Sequence, residues 1–135
     1  MRILIAEDDA TSRMMLKAIL IKWGYEVVET CNGDEAWQVL QREDAPRLAI
    51  LDWVMPGISG DNLCRKLRQL PTLCPIYIIL LTVRRDKADV ISGLEAGAND
   101  YIRKPFDREE LHARVRVGER VVKLEAALAE RNQAT

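Results

Sequence analysis

Five side chains stand at the ends of short strand-like runs: Glu7 and Asp8 after Ile3-Leu-Ile-Ala6, Asp52 after Leu48-Ala-Ile-Leu51, Thr82 after Ile76-Tyr-Ile-Ile-Leu-Leu81, and Lys104 after Asp100-Tyr-Ile-Arg103. If those runs are neighbouring strands, Glu7, Asp8 and Asp52 converge. Packed carboxylates repel unless a cation or a proton relieves them. Oxygen-only donors with water positions left open suit Mg²⁺, which takes few protein ligands and often bridges to phosphate. A carboxylate nucleophile beside a divalent cation, a hydroxyl and a lysine is a set suited to phosphoryl transfer onto Asp52. Taken singly, each group has an ordinary reading. Asp52 could be a turn or capping residue, and Glu7-Asp8-Asp9 an acidic helix start favoured by the macrodipole. Thr82 could simply end a strand, and Lys104 could be a solvated loop cation. Their coincidence at successive strand ends argues for one site.

Such a site needs a scaffold that delivers strand ends to one edge. Arg2–Ala6 reads as a strand running into the acids, and 10–23 as a helix stopped by Gly24, with Met14, Met15, Ala18, Ile19 and Ile21/Lys22 facing inward. Residues 25–30 are β-rich, and Asn32-Gly33 is a turn or cap. Ala36, Trp37, Val39 and Leu40 form a helical stripe ending before Pro46. The strand ending at Asp52 breaks into a Pro/Gly turn, and 60–69 follows as a helix with Leu63, Cys64 and Leu67 inward. Residues 75–82 are the most hydrophobic strand and the expected central one. A helix over 86–96 closes at Gly97, 100–103 is a short last strand, and a long helix starts near Asp107. Five β-α repeats with short connections imply an α/β fold with a parallel sheet covered by helices on both faces. Periodicity alone leaves the strand order open.

Composition narrows the function classes. The 135 residues are 48% apolar and 30% charged, which fits one folded domain. With 20 basic and 21 acidic residues the net charge is −1, so no overall field advertises direct nucleic-acid binding or an anionic membrane. The N-terminus turns acidic too early for a signal peptide, and no apolar run approaches the roughly 20 residues a bilayer span needs. Cys31, Cys64 and Cys74 form no CxxC or Cys/His grouping, and the single histidine is His112. Free thiols in a reducing cytoplasm are expected, and a metal–thiolate cluster is not.

The motifs Ile3-Leu-Ile-Ala-Glu-Asp-Asp9, Leu51-Asp-Trp-Val-Met-Pro56 with Gly60, Leu81-Thr82, Gly93-Leu-Glu-Ala-Gly-Ala-Asn-Asp-Tyr101 and Lys104-Pro-Phe106 together closely resemble the receiver domain of two-component response regulators. The resemblance covers residues 2 to about 118. It implies a flavodoxin-like, doubly wound sheet of five parallel strands in the order 2-1-3-4-5. It also implies that Asp52 accepts a phosphoryl group from a histidine kinase or a phosphotransfer protein. Asp8 and Asp52 would then ligate Mg²⁺, the Val54 carbonyl would complete the protein ligands, and Glu7 would act through water. Thr82 and Lys104 would meet the phosphoryl oxygens, Tyr101 would be the aromatic switch partner of Thr82, and the Lys104–Pro105 bond would be cis. On this reading the chain is a signalling domain that assists its own phosphorylation and dephosphorylation.

Some positions depart from the family pattern. Val83 stands where Ala, Gly or Ser is usual, Val54 brings no polar side chain, Arg84 adds a cation near the mouth, and Ser59 replaces a common Asp. These bear on rates and phosphoryl lifetime. A small-phosphate hydrolase would want a second acid at Val54. A degenerate receiver acting as a phosphorylation-independent interaction module would have lost Glu7/Asp8, Thr82 or Lys104. A dinucleotide-binding domain would need a GxGxxG after the first strand.

The C-terminal part, 119–135 beyond a receiver domain of 1–118, continues the last helix. Val117, Val121, Leu124 and Leu128 are spaced 4-3-4, a heptad-like seam for a homodimer, with Glu119 and Lys123 a favourable i,i+4 pair. One amphipathic helix folded back on the domain satisfies the same pattern. From Asp107 on, acids and bases balance, unlike a DNA-binding arm. Residues 110–122 resemble the helix joining receivers to cyclic-dinucleotide-synthesising output domains. Either a single-domain regulator or the N-terminal part of a longer one is consistent, and the abrupt polar end favours the second.

Overall fold

The structure is a computed structural model describing residues 1–71, 75–83 and 87–134; Cys74, Arg84 and Asp86 lie outside the described residues. The elements alternate as β1 (Arg2–Ala6), α1 (Ala10–Lys22), β2 (Glu26–Thr30), α2 (Gly33–Leu40), β3 (Leu48–Asp52), α3 (Gly60–Arg68), β4 (Tyr77–Thr82), α4 (Lys87–Glu95), β5 (Asp100–Arg103) and α5 (Arg108–Ala134). The five strands are parallel in the order β2-β1-β3-β4-β5. The order of winding therefore reverses between β1 and β3, and their neighbouring C-terminal ends form the crevice where such folds bind ligands.

Strand alternation divides the core in two. Ile3, Ile5, Leu48, Ile50, Ile79 and Leu81 pack under α1 and α5, with Leu16, Leu20, Leu111, Val115 and Val122. Leu4, Ala49, Leu51, Ile78 and Leu80 pack under the opposite layer with Ala36, Leu40, Leu63, Cys64 and Leu67 of α2 and α3. Gly118 lets α5 lie close to the sheet: a Cβ there would sit 2.8 Å from Leu48 Cδ1 and 2.9 Å from Tyr77 Cδ1.

Two expectations from the sequence need correction. Helix α1 buries Leu16, Ile19 and Leu20, whereas Met14 and Met15 are 68% and 53% exposed and Ala18, Ile21 and Lys22 are also exposed. Apolar residues surround most of this helix, so periodicity could not select the face. Docking against β1 and β2 selects the i, i+3, i+4 stripe. The central strand is β3; β4 is interior and buried throughout, one place nearer the β5 edge.

Arg68, at the end of α3, ties the base of the sheet to the α4–β5 turn. Its Nε and Nη2 donate to the Gly97 carbonyl at 2.9 and 2.7 Å, Nη1 to the Ile76 carbonyl at 2.8 Å, and Nη2 to Asn99 Oδ1 at 2.7 Å. Asn99 Oδ1 also accepts the Ile78 amide. Truncation would leave backbone acceptors without their charged donor, so Arg68→Ala is expected to lose about 2–3 kcal/mol of stability. Urea unfolding should show a lower midpoint at unchanged m value; an unchanged midpoint would contradict the assigned role.

Candidate functional site

The register places the functional side chains. Ala6 is level with Leu51, so Glu7 and Asp8 leave β1 beside the end of β3, where Asp52 stands opposite Leu81. Thr82 is one residue further along β4, level with Arg103, and Lys104 follows β5, its amide donating to the Thr82 carbonyl at 2.7 Å. The pocket floor is buried: Glu7 is 2%, Asp52 8% and Thr82 1% exposed.

One carboxylate oxygen from each of Glu7, Asp8 and Asp52 lies within 4.8 Å of the others. Lys104 Nζ reaches into this cluster, 2.6 Å from Glu7 Oε2 and 2.9 Å from Asp52 Oδ2. Burial is the main cause that raises the Glu7 pKa above its ordinary 4.5, helped by Asp52 and opposed by Lys104. For Lys104, burial works to lower the pKa, but the hydrogen bonds to Glu7 and Asp52 outweigh it and hold the value above 10.5. The site thus carries more negative charge than its own lysine balances. The donor set, three carboxylates with Asp8 on the open side, fits a small hard cation.

The neighbouring loops are held by local chemistry. Asp9 caps α1, its Oδ2 accepting the Ser12 amide at 2.8 Å, and this bond is the main cause that lowers the Asp9 pKa. Asn32 caps α2 in the same way through the Glu35 amide. The loop after Asp52 rests on that helix start: the Gly33 amide donates to the Pro56 carbonyl, and any Cβ on Gly33 would overlap the Ile58 carbonyl oxygen. Val54 and Val83, which the sequence places beside Asp52 and Thr82, are 60% and 66% exposed.

Behind Asp52, Trp53 is buried and meets the edge of the Tyr101 ring at 6.4 Å and 82°. The Tyr101 hydroxyl oxygen is itself buried. Gly93 of α4 rests on the same indole. A continuous packed path therefore runs from the residue beside Asp52 to α4 and β5. The Lys104–Pro105 peptide is cis.

Glu7, Asp8, Asp52, Thr82 and Lys104 lie at this edge and Tyr101 lies on that path, whereas Arg84 lies outside the described residues. Several supports were not foreseen. Arg13 donates to the Glu7 carbonyl, Gly33 braces the loop carrying Val54, and Trp23 stacks on His112 at 4.0 Å, joining α1 to α5. Only Gly33 left a sequence signal, its Asn-Gly pair; the others depend on which helices become neighbours.

A family model described as a response regulator receiver domain matches residues 3–116. The chain belongs to that family. Among the receiver's relatives, the phosphate regulon transcriptional regulatory protein PhoB of Rhizobium meliloti (strain 1021) is 43% identical over 115 residues, 85% of this chain and 50% of that protein. The BeF3-activated N-terminal receiver domain of Klebsiella pneumoniae RstA superposes with a TM-score of 0.78 at 38% identity, covering 87% of this chain and 97% of that one. A probable two-component system response regulator/GGDEF domain protein superposes with a TM-score of 0.83 at 32% identity, covering 91% of this chain and 50% of that one. The receiver spans about half the length of the curated relatives it matches. It is a phosphoacceptor domain of two-component signalling, and the groups a degenerate receiver would lack are present and converge. Among the described residues, no helix is long and apolar enough to cross a membrane.

Proposed function

We propose that Asp52 is the residue phosphorylated in this receiver, with Mg²⁺ held by Asp8, Asp52 and the Val54 carbonyl and contacted by Glu7 through water. The observation that carries the proposal is the convergence of Glu7, Asp8 and Asp52 at the C-terminal edge of the sheet, with the Lys104 ammonium on Glu7 and Asp52. An Asp52 carboxylate oxygen attacks the phosphorus of the donor, forming an O–P bond as the bond to the donor's imidazole nitrogen breaks; the imidazole leaves and takes a proton from solvent. The cation would screen negative charge between the carboxylate and the incoming phosphoryl group. Lys104, already on Asp52, needs only a short shift to reach a phosphoryl oxygen, and Thr82 offers its hydroxyl from the adjacent strand. Incubation with acetyl phosphate and Mg²⁺ should give a phosphoryl adduct by intact mass in wild type and none in Asp52→Ala. An adduct surviving unchanged in that variant would refute the assignment.

The donor is a histidine kinase or phosphotransfer protein, and the chain acts in the cytoplasm. Beside the mouth, Met15, Ile19, Pro105 and Phe106 line an apolar cleft of about 370 Å³ that reaches Glu7 and Lys104. Met15, at this cleft, is half exposed.

The response is proposed to be self-association through α4, β5 and α5, with residues 119–135 as a dimerisation or linker helix leading to an output domain of the cyclic-dinucleotide-synthesising kind. In support, α5 buries Leu111, Val115, Gly118, Val122 and Ala129 on the receiver side. Val117, Leu124 and Leu128, turned away from that side, are 40%, 62% and 56% exposed, whereas Val121, the fourth residue of the expected seam, is half-buried against the receiver core. So short a seam is marginal alone, which makes association conditional on the receiver face. Sedimentation velocity should show beryllofluoride promoting dimers of wild type and not of Leu124→Glu; identical distributions in all samples would rule the switch out.

A further inference from the structure

We infer that Arg13 is a positioning residue for the acidic cluster: its guanidinium fixes the carbonyls of Glu7 and Asp8, and with them the direction in which Asp8 presents its carboxylate to a divalent cation. This rests on the reading of Glu7, Asp8 and Asp52 as a cation site.

The geometry is specific. Arg13 sits in the first turns of α1 and reaches back over the turn from β1. Its Nη1 lies 2.8 Å from the Glu7 carbonyl oxygen and 3.4 Å from that of Asp8. On the other side, its Nε faces Glu29 Oε1 at 3.6 Å, and Glu29 is held in turn by Lys17 Nζ at 2.8 Å on Oε2. The guanidinium is thus wedged between the acidic turn and β2, with its side chain only 22% exposed. The turn is also anchored at its start, where the Glu7 amide donates to the Thr30 carbonyl at 3.3 Å. Glu7 is immobilised by burial. Asp8 is exposed, so the orientation of its backbone is what aims its carboxylate. Arg13 supplies that orientation from outside the pocket.

A purely electrostatic role makes the opposite prediction. Glu7, Asp8, Asp9 and Glu29 cluster around Arg13, and removing its positive charge would deepen the negative potential and tighten cation binding a few-fold at low salt. A positioning role weakens binding, because a ligand released from its preferred direction must be ordered on binding; residues that orient metal ligands typically contribute about 10-fold or more to affinity. The two variants Arg13→Gln and Arg13→Lys separate these roles. Gln keeps no charge and a shorter reach. Lys keeps the charge but replaces the planar fork with a single point donor.

The test is a Mg²⁺ titration followed by Trp53 fluorescence, with Trp53→Phe as background and thermal unfolding of the metal-free proteins in parallel. The expected Kd rises about 10-fold in Arg13→Gln and about 3-fold in Arg13→Lys, both relative to wild type. A Kd at or below the wild-type value in either folded variant overturns the inference, and should Arg13→Gln fail to fold, Arg13→Lys decides it alone. If wild type itself gives no Mg²⁺-dependent signal beyond the Trp53→Phe background, the cation site falls, and the role of Arg13 with it.

Discussion

Lys104→Met should destabilise the metal-free protein by about 3 kcal/mol at neutral pH, whereas Glu7→Gln should stabilise it by about 1 kcal/mol. The two changes act on one cluster in opposite directions. Lys104 is the cation between two buried carboxylates, at 2.6 and 2.9 Å. Removing it leaves Glu7 and Asp52 facing each other without compensation. Removing the Glu7 charge leaves Lys104 and Asp52 as a balanced pair, while the Gln carbonyl still accepts from the ammonium. The pH dependence follows from the direction of each shift. Glu7 has a folded pKa above its ordinary 4.5, so its contribution to stability is complete below about pH 4.5 and is lost as pH rises through the folded value. The pKa of Lys104 is also raised, from 10.5, so its contribution is complete below that pH and is lost only in strong alkali. Above the folded Glu7 pKa and below that of Lys104, the protein combines the cost of the buried Glu7 anion with the benefit of the Lys104 cation. Urea midpoints at pH 5 and pH 8 without Mg²⁺ should separate the variants more at the higher pH. Equal stability of wild type and Lys104→Met at pH 8 would contradict this description of the pocket.

Asp8→Ala should lower Mg²⁺ affinity about 100-fold and leave metal-free stability unchanged or slightly raised. Asp8 is the exposed member of the carboxylate trio, so its removal opens no cavity and relieves like-charge repulsion. What it removes is a ligand that neither Glu7, engaged by Lys104, nor Asp52 can replace. Trp53 follows Asp52 directly and is buried, so it serves as the reporter, with Trp53→Phe as the control for Trp23 and Trp37. A titration midpoint unmoved in Asp8→Ala would place the cation elsewhere.

The contrast between Asp52 and Arg13 shows what the sequence could reveal. Asp52 and Thr82 were legible because each directly follows an apolar run and Lys104 because it follows a short strand-like segment, and in a parallel sheet every strand end arrives at the same edge. Strand order was not legible from periodicity; it came from resemblance to a family. The face of α1 was misread because apolar side chains line most of the helix, and only its neighbours decide which of Met14, Met15 and Leu16 is buried. On α3, where Leu63, Cys64 and Leu67 are set among Arg65, Lys66 and Arg68, the same reasoning succeeded. Arg13 and Arg68 were not singled out from the sequence. Their roles lie in hydrogen bonds to backbone carbonyls, which carry no side-chain signature in the sequence.

Phosphorylation of Asp52 is the central claim, and the most direct test is chemical. Borohydride reduces an aspartyl phosphate to homoserine, marking the modified residue permanently. After treatment with acetyl phosphate and Mg²⁺, reduction and peptide mass mapping should find homoserine at position 52, and none when Mg²⁺ is omitted. Homoserine at Asp8, Asp9 or any other aspartate in place of Asp52 would contradict the account.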